Sequence, residues 1–157
     1  MKRIRILMML GLCVVVLAAQ ANAQRRAGLW EVTSSMSMSG MPNMPNMGSH
    51  TQQVCVTQAM IDKYGGPYSN PQTGECQVTN VSLSPTGMTA NLSCTGRMNM
   101  TGTVQTTFVD ANTTKTTMQM MATMGNGQSM NMTMQSTATY KGADCGSVQP
   151  LAMPPSQ

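Results

Sequence analysis

Charge is scarce in this sequence. Only 9% of its 157 residues are Asp, Glu, Lys or Arg, and it holds a single His, His50. Its five carboxylates, Glu31, Asp62, Glu75, Asp110 and Asp144, stand singly, with no pair spaced for general acid–base work. No Ser sits in a Gly-x-Ser-x-Gly elbow. The expectation is a non-catalytic protein with no catalytic residue set. Three of the nine basic residues, Lys2, Arg3 and Arg5, lie in the leading segment and five acidic residues nearly balance the rest, so no nucleic-acid partner is expected. There is no Cys-x-x-Cys pair, which argues against thioredoxin-like exchange and a zinc ribbon.

Most of the net positive charge lies at the start. Lys2-Arg3-Ile4-Arg5 forms a short positive segment, Ile6–Ala19 is an apolar run, and Ala21-Asn22-Ala23 supplies small residues for cleavage. That order reads as a secretory signal over residues 1–23 rather than an anchor, because the run is short and polar residues follow it. Cys13 lies mid-run behind the bulky Leu12, a poor context for lipidation. With Lys2, Arg3 and Arg5 removed, the formal net charge falls from +4 to +1. The chain after Ala23 has no second apolar run of membrane length, so no transmembrane segment is expected in the mature protein. A periplasmic or secreted location follows.

Four cysteines remain, Cys55, Cys76, Cys94 and Cys145, and an even count in an exported chain of this size favours two disulfides. Strand pattern chooses the pairing. Cys76–Leu83 and Met88–Cys94 flank the turn Ser84-Pro85-Thr86-Gly87. Closing that hairpin sets Leu83 against Met88 and Val81 against Ala90. One extra residue between Val78 and Val81, a bulge, then sets Val78 against Leu92 and Cys76 against Cys94. The remaining bond is Cys55–Cys145.

Elsewhere the pattern has period two, the mark of half-buried strands. Trp30, Val32, Ser34, Met36 and Met38 alternate with polar residues; Pro42 and Pro45 end that strand, and a second follows over about Ser49–Val56. Thr57 is placed to cap a short helix to Tyr64, with Gly65 as its stop. After the hairpin, Met98, Met100, Gly102, Val104, Thr106 and Phe108 share a face. Thr116, Met118, Met120, Ala122 and Met124 share the next, and Met130, Met132, Met134, Ser136, Ala138 and Tyr140 the last. Thr, Asn and Gln fill the opposite faces. The expected fold is all-β with one short helix: an antiparallel meander of about seven strands forming a strongly curved sheet or open barrel. Residues 24–148 form one domain, and 149–157, with Pro150, Pro154 and Pro155, reads as a disordered tail.

Methionine is the abundant residue. Seventeen of the 20 remain after Met1, Met8 and Met9 leave with the signal, against 14 Leu, Ile, Val and Phe combined. Period-two Met on strands fits plain core filler. It fits equally an adaptable pocket for a lipid or apolar small molecule, lined by Met98, Met100, Met118, Met120, Met132 and Met134. The alternative is a Cu(I) or Ag(I) site on the Pro-rich loop, from Met36, Met38, Met41, Met44, Met47 and His50, because thioethers are soft ligands. No cofactor is expected on the first reading, copper on the second.

Gly28-Leu29-Trp30-Glu31-Val32-Thr33, the Met- and Pro-rich loop, Val54-Cys55-Val56-Thr57, the spaced Cys76 and Cys94, and Asp144-Cys145-Gly146 occur in an order that resembles the bacterial domain-of-unknown-function 3617 family. The resemblance spans nearly the whole mature chain. It implies an exported, mostly β, Cys-containing domain, carries no catalytic residues, and brings Met enrichment as a family trait.

Overall fold

The structure, a computed structural model, describes residues 25–39, 47–67, 76–95, 99–123 and 127–151. The segment 1–23, Met41, Met44, Met98 and Met124 lie outside these residues. Seven strands form one antiparallel sheet: β1 (Gly28–Ser39), β2 (Met47–Val56), β3 (Cys76–Ser84), β4 (Gly87–Cys94), β5 (Asn99–Phe108), β6 (Thr113–Thr123) and β7 (Ser129–Gly142). Their order is β2-β1-β7-β6-β5-β4-β3, so β3 to β7 run as a meander and β1 returns to lie beside β7. The sheet is strongly curved and does not close; β2 and β3 are its edges.

Alternation decides which face turns inward. On β4 and β5 the even residues Met88, Ala90, Leu92, Cys94, Val104, Thr106 and Phe108 are buried while Thr89, Asn91, Thr103 and Gln105 are exposed. The same phase holds on β1, β6 and β7, so the concave side is the apolar one, while on β2 the three consecutive residues Val54, Cys55 and Val56 are buried.

Among the described residues one helix of seven residues, α1 (Gln58–Tyr64), covers one end of that side. Thr57 caps it as the sequence suggests, its hydroxyl accepting from the Met60 N–H at 3.3 Å. Gly65 ends it with φ 75°, a left-handed turn that only glycine adopts at no steric cost. Gly65 also presses on the Phe108 ring and on Leu83, where a Cβ would collide. The buried Met60, Ile61 and Tyr64 join Trp30, Val54, Val56 and Phe108 in the main core. Trp30 is fully buried, its indole N–H donates to the Arg26 carbonyl at 2.9 Å, and Tyr140 meets it edge-on at 5.5 Å.

Both disulfides carry the pairing expected from the hairpin, Cys76–Cys94 and Cys55–Cys145. The first pins β3 to β4. The second ties β2 to the segment after β7, where Pro150 bridges Cys55 and the Leu151 N–H donates to the Cys55 carbonyl at 3.2 Å. The chain is therefore held as far as Leu151, inside the stretch that composition reads as a tail.

One register differs from expectation. Leu83 faces Met88, Val78 faces Leu92 and Cys76 faces Cys94, but Ser82 rather than Val81 resumes the ladder, opposite Thr89. Asn80 takes φ 52° inside the bulge, and Val81 and Leu83 stay 36% and 42% exposed. The irregularity spans Asn80 and Val81, so Val81 has no cross-strand place against Ala90.

Candidate functional site

Following the ladders from strand to strand shows how the concave face is tiled. One row runs Met36, Met134, Met118, Val104, Ala90 from β1 to β4. The next runs Met38, Met132, Met120, Gly102, Leu92, Val78 from β1 to β3. A third runs Met130, Ala122, Met100, Cys94, Cys76. On β1, β5, β6 and β7 eight methionines thus occupy three successive registers at the end of the sheet away from Trp30.

This arrangement redraws the two methionine groups proposed from sequence. Met100, Met118, Met120, Met132 and Met134 share the concave face, as the strand stripes require. Met36 and Met38 belong with them rather than with the loop, because β1 pairs directly with β7: Met36 with Met134 and Met38 with Met132. Met47 pairs with Met36 at the start of β2. His50 is exposed on the edge strand β2, opposite Ser34, one register short of the methionine rows. Met41 and Met44 of the loop, and Met98 of the stripe, fall outside the described residues.

Burial within the block is uneven. Met118, Met130 and Met132 are buried, whereas Met36, Met38, Met100, Met120 and Met134 are half-buried. Ala122, Met130 and Met132 form a cluster of their own, with Met38, Met100 and Met120 packed against it, apart from the buried residues of the main core. Gly102 is a second glycine with a steric reason: a Cβ there would strike the Gln119 carbonyl, so only glycine permits β5 and β6 to approach so closely. It also leaves the central row without a side chain between Met120 and Leu92.

Between the methionine rows and the aromatic end lies a row of small hydroxyls, Ser34, Ser136, Thr116 and Thr106. The Thr106 and Thr116 hydroxyls are 2.9 Å apart. Beside them is a cavity of about 20 Å³, lined among others by Gln52, Thr106, Thr116, Met118, Met134 and Ser136. That volume holds one water molecule. Composition alone conceals this polar row, although the Ser and Thr at even positions of β1, β5, β6 and β7 announce it.

The electrostatics are those of an uncharged lining. Every Asp, Glu, Lys and Arg within the described strands, Glu31, Lys115 and Lys141, points to the convex side. There Lys141 and Glu31 pair at 2.8 Å, both substantially exposed, a contact of about 0–1 kcal/mol. Arg25 stacks its guanidinium 3.6 Å above the Phe108 ring at the aromatic end, and burial pushes its pKa below the ordinary arginine value. Among the described residues no three His, Cys, Asp or Glu side chains come together as a metal site. No described helix is long and apolar enough to cross a membrane.

Comparison with known proteins adds one finding. The profile of the family described as protein of unknown function (DUF3617) matches residues 25–145, and the chain belongs to that family. No curated protein and no solved structure matches it.

Proposed function

We propose that the protein is an exported, non-catalytic binding domain of the cell envelope that takes an apolar small molecule or lipid against the methionine face. The observation that carries this reading is the partial exposure of Met36, Met38, Met100, Met120 and Met134 on one concave surface lined without formal charge. A packed core seals its methionines; here five of eight remain half-buried. Thioether side chains with three rotatable bonds repack around varied apolar shapes, which suits a ligand whose outline is not fixed in advance. The water-sized cavity in the hydroxyl row is too small for such a ligand, so binding proceeds by displacement of Met side chains at the open end. Two disulfides support an oxidising compartment, in keeping with the export signal.

The test uses the fluorescent apolar probe N-phenyl-1-naphthylamine on the mature chain. The parent binds it saturably, and Met120→Asp or Met38→Asp, at half-buried positions where a carboxylate reaches water, abolishes the signal while the far-ultraviolet dichroism stays that of a sheet. A folded Asp variant that binds like the parent, or a parent that does not bind, contradicts the reading.

A further inference from the structure

The central methionine row has a chemistry that an apolar pocket does not need. We propose that Met38, Met120 and Met132 bind one Cu(I) or Ag(I) ion through three thioether sulfurs. The three residues sit at one register on three neighbouring strands, β1, β6 and β7, with Met132 paired to both of the others. Neighbouring strands lie about 4.8 Å apart, and side chains on a concave face converge away from the backbone. A methionine sulfur stands three bonds out from its Cα on a flexible chain, so the outer two side chains can lean over the middle strand and present their sulfurs to an ion above Met132.

Neighbouring residues favour this row over the one beside it. Gly102 follows Met120 in the row and contributes no side chain there, because the β5 and β6 backbones approach too closely for one. Met100 and Met130 stand one register further on in the cluster around Met132, which offers a fourth sulfur, although Met100 and Met120 pack against the main core as well. The Met36–Met134–Met118 row runs instead into Val104 and borders the hydroxyl row, and Met118 and Val104 belong to the main core. Half-buried Met38 and Met120 leave the ion a path from solvent and let water share the cost of a single positive charge among neutral ligands. The face offers no carboxylate, so hard cations such as Mg²⁺ and Ca²⁺ find nothing to bind, while soft thioethers select Cu(I).

This site shares the methionine face but does not depend on apolar binding. Met→Leu removes sulfur while conserving volume and apolar area, at under about 1.5 kcal/mol per site. The variant M38L/M120L/M132L therefore separates the two ideas. Mature protein with both disulfides is titrated anaerobically with Cu(I) held by a colorimetric chelator, in ascorbate, which maintains Cu(I) without opening disulfides. The parent takes up one Cu(I) per chain. The triple Leu variant binds at least about tenfold more weakly, whereas M36L/M118L/M134L matches the parent. A triple variant that titrates like the parent overturns the site, as does a parent that takes no Cu(I), or a loss seen only with M41L/M44L/M47L. If the triple variant also fails to bind the naphthylamine probe, its face has collapsed, and the parent decides: Ag(I) added to 13C-methyl-methionine protein moves the Met38, Met120 and Met132 methyls most, and shifts confined to other methionines overturn the site.

Discussion

The two ends of this sheet are built from different materials. At the end under α1, Trp30, Tyr64, Phe108 and Tyr140 hold all the aromatic side chains among the described residues, and the helix and the segment bonded to Cys55 close over them. At the other end eight methionines do the same work with flexible chains, and five remain half-buried. Rigid, branched and aromatic residues specify one packing; methionine fills space without fixing it. A domain needing only stability has no reason for the difference. The contrast accords with the proposed function, which assigns stability to the helix end and ligand binding to the methionine end, with the hydroxyl row as the border.

That division is open to attack at several strengths. The largest effect is expected from the long disulfide. Opening Cys55–Cys145, which spans 90 residues, costs about 4.6 kcal/mol in the chain-entropy model, against about 3.2 for Cys76–Cys94, which spans 18. Urea unfolding of the two double-Ala variants measures this, and equal losses would remove one support for a dominant helix end. Trp30→Ala comes next, at about 3–5 kcal/mol, because a fully buried indole leaves a void beside Tyr140 that neighbouring β-strands cannot fill. Met132→Ala is expected at the low end of the large-to-small range, about 2 kcal/mol, since Met38, Met100 and Met120 relax into the space. A loss as great as that of Trp30→Ala would mean that the methionine end is packed as tightly as the other. Smallest is Met120→Leu, under about 1.5 kcal/mol by thermal unfolding, which also shows that the sulfur itself adds little to the fold.

Local signals in the sequence carry most of this fold. Period-two alternation places the strands, Thr57 and Gly65 bound the helix, and the hairpin turn at Ser84–Gly87 fixes the register that joins Cys76 to Cys94. What sequence conceals is long-range. Nothing near Met36 or Met38 announces that β1 will lie beside β7, whose residues come about a hundred positions later. Those two methionines therefore read as part of a loop with His50, whereas pairing carries them into the stripe with Met132 and Met134. The bulge is hidden for another reason. Its need is visible in the phase slip between Val78 and Val81, but the left-handed backbone at Asn80, which returns the ladder to Ser82, depends on local strain that hydropathy does not record. Of the candidate site, the residue type and the face were legible; the rows and the role of Gly102 required the register.

The proposed function turns on ligand entry at the methionine end. The most direct test is the 13C-methyl-methionine spectrum of the mature protein during titration with N-phenyl-1-naphthylamine. Shifts confined to methyls of the three methionine rows, with Met60 in the helix and Met88 in the main core unmoved, are the predicted result. Shifts at Met60 or Met88 equal to those at Met38 and Met120, or a spectrum that does not change at all, would contradict it.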